Sequence, residues 1–232
     1  MKVALLECDH VAERLLHIGG HYRDMFQALF SKLEFTVYNI VENEFPASVA
    51  DHEIYIVTGS KYSVYDDIPW IYKLKSFVRE IQLHHKYFIG VCFGHQLLAE
   101  ALDGEVVKNE IGWCVGVHSF QVVHREKWMI PPMENLRLLM SCQDTVRRMP
   151  RNSTLLARSE DCAVGMFVVG DRMIGIQGHP EFSKEYDRAL MKERVRKIGG
   201  EKVKKGIDSL KMDLDADIFA KWMMEFLRMS PA

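Results

Sequence analysis

Short unbroken apolar runs alternate along the chain with stretches in which apolar residues recur every third or fourth position. Residues 2–8 (KVALLEC), 53–58 (EIYIVT) and 87–91 (YFIGV) are runs of the first kind and read as strands buried on both faces, as in a parallel sheet. Met25, Phe26, Leu29, Phe30 and Leu33 are spaced for one face of a helix, as are Trp70, Leu74, Phe77 and Ile81 after Pro69. Strands alternating with helices predict right-handed βαβ units and an α/β domain.

A further helix is predicted over 94–102, ending near Gly104, and beyond it the pattern changes. The stretches 114–123, 136–142 and 173–177 are strand-like and are expected to add antiparallel members to the sheet. Pro131-Pro132 marks a turn rather than a domain boundary. Ser183 can cap a helix over 184–198, stopped by Gly199-Gly200, and Asp215 or Asp217 can start a last helix carrying Ile218, Phe219, Trp222 and Phe226. Trp222, Met223 and Phe226 fall at core spacing. Between these helices EKVKKGIDSLKMDLD reads as a mobile charged connector near 200–215. Lys192, Arg194, Arg196 and Lys197, interleaved with Glu185, Asp187 and Glu193, read as a solvated helix face. No repeat divides the chain, so residues 1–232 are expected to form one domain.

Composition narrows the function classes. At 232 residues, 48% apolar and 27% charged, the chain can bury a sizeable core. Thirty basic against thirty-two acidic side chains leave a net charge of −2, so no global field favours nucleic acid or an anionic membrane. No run approaches the ~20 apolar residues of a membrane helix, and acids and a histidine interrupt the amino-terminal stretch where a signal peptide needs apolar residues. A soluble, cytoplasmic protein is expected. Five scattered cysteines, Cys8, Cys92, Cys114, Cys142 and Cys162, contain no C-x-x-C pair, which speaks for thiol chemistry over disulfides or structural zinc. His10, His17, His21, His84 and His85 read as solvated or hydrogen-bonded, and no metal or cofactor is expected.

The densest chemical signal is Gly90-Val91-Cys92-Phe93-Gly94-His95-Gln96, where an apolar strand turns into a helix at a cysteine flanked by glycines. Such a turn projects the thiol from the carboxyl edge of a sheet, and the positive end of the following helix favours a thiolate. The bland alternative is a small buried hydrophobe. Gly178-His179-Pro180-Glu181 follows another apolar strand, 87 residues downstream of Cys92. There His179 can serve as a base, and Glu181 can hold its ring. Val57-Thr58-Gly59-Ser60 ends a third strand. Its glycine lets a backbone N–H turn towards an oxyanion, with Phe93 as the second donor. His95, three residues past Cys92, is expected behind the pocket rather than in its mouth.

These motifs resemble the class I (triad) glutamine amidotransferases, marked by G-x-C-x-G-x-Q and H-P-E, over roughly residues 1–190. Within that family VTGSKYSVYDDIPWI, GVCFGHQLLAEAL, QDTV and IQGHPEFS are most similar to stand-alone members related to the glutaminase part of GMP synthetase, such as plant γ-glutamyl peptidases. The resemblance implies a flavodoxin-like three-layer α/β fold: a central, mostly parallel sheet with helices on both faces and some antiparallel strands. It implies Cys92 as nucleophile, His179 as general base and acid, and Glu181 as its orienting carboxylate. Gly59 and Phe93 match the oxyanion donors, and Ser60, Gln96, Gln143 and Asp144 match the substrate pocket. Cys142 departs from the pattern, since relatives usually carry histidine there.

The implied substrate is a small γ-glutamyl compound, cleaved through a γ-glutamyl thioester. Ammonia as the first leaving group would make the protein a glutaminase, and an amino acid or peptide would make it a γ-glutamyl peptidase. The chain has neither a G-x-x-x-x-G-K-[ST] phosphate loop nor an S-G-G-x-D-S loop, so a glutaminase would need a separate synthetase partner. A redox-sensing protein of the same fold is a third reading, against which the His179–Glu181 pair speaks.

Overall fold

Along the first strand, successive side chains fall alternately to the two sides of a sheet. Val3 and Leu5 pack with Phe26, Phe30, Trp222 and Phe226, whereas Ala4 and Leu6 pack with Trp70, Leu74 and Leu97. Both faces are therefore covered by helices. The computed structural model describes residues 2–228.

The strands are β1 (Lys2–Glu7), β2 (Glu34–Asn39), β3 (Ile54–Val57), β4 (Tyr87–Val91), β5 (Glu105–Lys108), β6 (Cys114–Val122), β7 (Asn135–Cys142), β8 (Asp144–Arg148), β9 (Ser153–Arg158), β10 (Met166–Val169) and β11 (Met173–Ile176). The helices are α1 (Leu16–Gly19), α2 (Tyr22–Leu29), α3 (Pro69–Leu83), α4 (Phe93–Ala101), α5 (Lys184–Glu193), α6 (Val195–Ile198), α7 (Gly200–Ser209) and α8 (Ala216–Arg228). One sheet runs β2-β1-β3-β4-β11-β10-β9-β6-β7, and β5 pairs with β8 in a small separate ribbon.

The five strands from β2 to β11 are parallel. Those from β10 to β7 alternate in direction. The parallel part has the doubly wound order, in which ligands bind beyond the carboxyl ends of the strands. The α/β fold with a mostly parallel, helix-flanked sheet thus agrees with expectation, and 114–122 and 135–142 are antiparallel as expected, but 173–176, expected with them, forms β11 and runs parallel to β4 as the last strand of the parallel part.

Three expectations are corrected. The segment expected to be a mobile connector contains α7, which buries Val203 and lays Gly206 against β6. Gly116 makes this close approach possible: a Cβ there would stand 2.6 Å from the Gly206 carbonyl oxygen. Val203, Ile207 and Leu210, spaced for one helix face, supply the apolar stripe of α7 among the charged residues. The helix predicted over 184–198 breaks at Arg194 into α5 and α6. The helix read through Leu33 stops at Leu29, and Leu33 is buried beyond its end. β2 lies at the sheet edge, so its residues are only partly buried and lack the unbroken apolar run of a central strand.

Candidate active site

Three neighbouring parallel strands each deliver one piece of the site at their carboxyl ends. β3 leads to Gly59, β4 to Cys92 and β11 to His179. Distant motifs therefore meet because their strands are adjacent.

Cys92 sits at the β4–α4 turn with φ 51° and ψ −97°, a left-handed conformation that L-residues rarely adopt. Strain of this kind costs about 1–3 kcal/mol and persists when the surroundings over-determine it. Here they do. A Cβ on Gly90 would stand 2.3 Å from the Gly94 carbonyl oxygen, and one on Gly94 would stand 2.5 Å from that of Val57. Both flanking glycines are needed for the strand and helix to approach so closely. The Cys92 residue is 5% exposed and lines a cleft of about 770 Å³.

His179 is fixed from several directions. Its backbone N–H donates to the Leu139 carbonyl at 2.7 Å, docking it on β7. Its Nδ1 is 2.7 Å from Glu181 Oε1, and the Glu181 side chain is completely buried. The Phe182 ring stacks on the imidazole at 4.1 Å and 6°. Phe182 directly follows the H-P-E motif, but nothing in the motif marked it as the support for the imidazole plane. Burial alone would pull the imidazole pKa down. The Glu181 carboxylate and the Cys92 thiol outweigh it and push His179 up to about 10. The arrangement favours a protonated imidazole held between Cys92 and Glu181.

Gly59 lies against both partners. A Cβ on it would come within 2.9 Å of His179 Cε1 and 3.7 Å of Cys92 Cβ. Neither the Gly59 nor the Phe93 backbone N–H donates to another described residue, so both donors are available beside Cys92. Thr58 braces the loop, accepting from the Cys8 N–H at 3.0 Å.

The remaining expected contacts line the same cleft but differ in how free they are. Ser60 Oγ donates to the Cys8 carbonyl at 2.7 Å and accepts from the Tyr62 N–H at 3.2 Å, so its hydroxyl is engaged by the loop. Gln96 Nε2 is tied to the Asp144 carbonyl and to Gln177 Oε1, each at 3.0 Å. The Asp144 carboxylate accepts from Ser63 Oγ at 2.6 Å and Tyr65 Oη at 2.8 Å, while Gln143 lies beside it on the cleft wall. His95 is fully buried behind the site against Phe167 and Gly175. Burial drives its pKa down to about 4, against weaker opposition from the Gly175 and Val164 backbone.

A further wall was expected only at Cys142, the position that departs from the family pattern. Trp113, Ser141 and Cys142 line it, together with Arg194, Arg196 and Lys197, three residues expected to form part of a solvated helix face. The break between α5 and α6 places that charged run on the cleft. Asp187, expected on the same solvated face, is fully buried, and neither carboxylate oxygen has a hydrogen-bond partner. Burial raises its pKa to about 7, opposed by the charges of His179 and Arg194.

The four cysteines outside the elbow are held as thiols, chiefly by burial, with Cys114 pushed up to about 11 and Cys162 to about 12. Among the described residues, no helix is long and apolar enough to cross a membrane.

Elbow, paired imidazole and strand order define a class, and comparison with known proteins agrees. Residues 24–198 match the family model for glutamine amidotransferase class-I, and the chain belongs to that family. It is 29% identical over 229 residues to gamma-glutamyl peptidase 4 of Arabidopsis thaliana, covering 92% of this chain and 90% of that one. It is 25% identical to a glutamine-hydrolyzing GMP synthase subunit of Sulfolobus acidocaldarius, over 72% of this chain and 87% of that one. In structure it is similar to a glutamine amidotransferase from Thermotoga maritima, with TM-score 0.77 and 20% identity over 99% of both chains.

Proposed function

We propose that the protein is a cysteine-dependent hydrolase of γ-glutamyl amides, acting on γ-glutamyl peptides. The observation that carries this reading is the convergence of Cys92, the Glu181-held His179 and the free N–H groups of Gly59 and Phe93 at one sheet edge.

In this reading the Cys92 thiolate attacks the amide carbon, and the oxyanion is held by the Gly59 and Phe93 N–H groups. The C–N bond then breaks as His179 gives its proton to the departing amine, leaving a γ-glutamyl thioester. Water, deprotonated by His179, attacks the thioester. The C–S bond breaks, releasing glutamate and restoring the Cys92 thiolate beside the protonated His179. Glu181 keeps Nε2 of the imidazole directed at the reaction. Gln96, Gln143 and Asp144 border the γ-glutamyl group, with Ser60 shaping the loop.

Similarity to a γ-glutamyl peptidase over nearly the whole of both chains supports a peptide leaving group. The match to a GMP synthase component supports a second reading, a glutaminase that passes ammonia to a separate synthetase.

The test is to incubate purified protein with glutamine and, separately, with γ-glutamyl dipeptides, following ammonia, glutamate and released amines. Peptide cleavage without a partner is expected. Cys92→Ala should lower it by about 10⁴-fold or more. Hydrolysis of glutamine alone would favour the glutaminase. Activity retained in Cys92→Ala would overturn the mechanism.

A further inference from the structure

The cleft in front of Cys92 is unevenly charged. Five cationic side chains line it, and two are already neutralised: Arg14 by a two-pronged pair with Glu193, and Lys61 by Asp9 at 2.9 Å. The other three, Arg194, Arg196 and Lys197, come from the break between α5 and α6 and make no ion pair with any described carboxylate. Asp187 lies close enough to feel Arg194, but burial raises its pKa, and its carboxylate makes no hydrogen bond to the guanidinium.

Arg194 is not a loose surface side chain. It is half-buried, reaches Ser141 Oγ at 3.4 Å and lies 6.0 Å from the centre of the Trp113 ring. A guanidinium held beside an aromatic ring on the lining of a cleft is suited to a carboxylate. The two acids of the lining are engaged elsewhere: Glu193 pairs with Arg14, and Asp144 is held by Ser63 and Tyr65.

We propose that Arg194, Arg196 and Lys197, with Trp113 as the platform, form the leaving-group subsite and select γ-glutamyl peptides whose departing amine carries a free carboxylate one or two residues beyond the scissile bond. The inference rests on the γ-glutamyl hydrolase reading, and it supplies what the catalytic residues do not: a reason for a peptide rather than ammonia to leave. Ammonia offers nothing for three cations to hold. A peptide carboxylate neutralises them and gains affinity from the side of the amide that leaves.

The test compares γ-glutamyl-alanine and γ-glutamyl-alanyl-glycine with their carboxyl-terminal amides, which differ only in the charge of the leaving group. For the better-cleaved length, kcat/KM for the acid should exceed that for the amide by about tenfold at low salt, and the ratio should shrink as ionic strength rises. In Arg196→Gln/Lys197→Gln, whose altered residues are exposed, the ratio should fall to about threefold or less. Arg196→Glu/Lys197→Glu should favour the amide, and Arg194→Lys should keep most of the preference. Equal rates on acid and amide in the unaltered protein would overturn the subsite, as would a preference that survives loss of all three charges.

Calorimetric binding of the same four peptides to Cys92→Ala separates the two readings. If the unaltered protein cleaves no peptide but Cys92→Ala binds acids over amides through these residues, the hydrolase reading fails and the cationic subsite stands. If cleavage proceeds but binding ignores the carboxylate, the subsite fails alone.

Discussion

The two walls of the cleft are built by different means. The wall that carries Cys92 is backed by Gly59 and His179, both buried, and is closely packed around glycines that admit no Cβ. The wall of Trp113 and residues 194–197 is charged and partly exposed, and long side chains define it. In the proposed reading the first arrangement suits bond breaking, where a small displacement of Cys92 or His179 is expensive. The second suits recognition, where a long cation follows an anionic group and salt tunes the attraction. Rigid chemistry on one side and adjustable specificity on the other predict that substitutions will fall into two kinetic classes, one acting on kcat and one on discrimination between substrates.

The sharpest way to break this comparison is Glu181→Gln. The buried carboxylate holds Nδ1 of His179 at 2.7 Å and is the foremost group raising its pKa, ahead of Cys92. An amide in its place can present the wrong partner to the ring. We expect kcat on γ-glutamyl peptides to fall by about 10²–10⁴-fold, with little change in the ratio of acid to amide substrates. Steady-state kinetics on both substrates would check this. A loss confined to one of them would show that the walls are not separate.

How well each wall could be read in the sequence follows from the same difference. Cys92, Gly90 and Gly94 lie within five residues, and His179 and Glu181 within three, because an elbow and a histidine–carboxylate pair are local geometries with local signatures. Their meeting could be inferred because βαβ topology brings strand ends together. The opposite wall joins Trp113 after β5, Cys142 at the end of β7 and the break after α5, and no motif spans those separations. Arg194–Lys197 looked like a solvated face because charge interleaving carries no information about where a helix will break. α7 gave little sign of itself because its apolar stripe of Val203, Ile207 and Leu210 is narrow and set among charged residues, and the Gly116–Gly206 contact completes its packing. Asp187 was missed because an acid in an acidic and basic run gives no sign of being fully buried.

Asp187 sharpens the comparison electrostatically, since both His179 and Arg194 act on it. Its pKa rises from 3.8 to about 7 on folding, so the folded state binds the proton more tightly. The resulting stabilisation is complete below about pH 4 and is lost as pH rises through 7. His179, raised from 6.5 to about 10, loses its contribution in a later window, between about pH 6.5 and 10. Asp187→Asn removes the first window only. Thermal denaturation from pH 4 to 8 should show the unaltered protein losing a few kcal/mol relative to the variant, mostly by pH 7. Parallel curves would mean that Asp187 is already ionised in the fold and that the cationic wall is neutralised from behind.

The smallest effect is expected at Ser60, which both walls border. Its side chain lies on the cleft, yet its hydroxyl bonds the Cys8 carbonyl at 2.7 Å and the Tyr62 N–H at 3.2 Å, joining the Gly59 loop to the end of β1. A hydroxyl engaged in this way serves the loop before it serves a ligand. Removing it leaves two backbone groups to find other partners, which costs about 1 kcal/mol when they are partly reached by water. Ser60→Ala should therefore lower Tm by a few degrees and change KM for γ-glutamyl peptides by less than about threefold. A tenfold rise in KM without loss of Tm would assign the hydroxyl to the γ-glutamyl group. Recognition would then begin on the rigid wall as well as on the charged one.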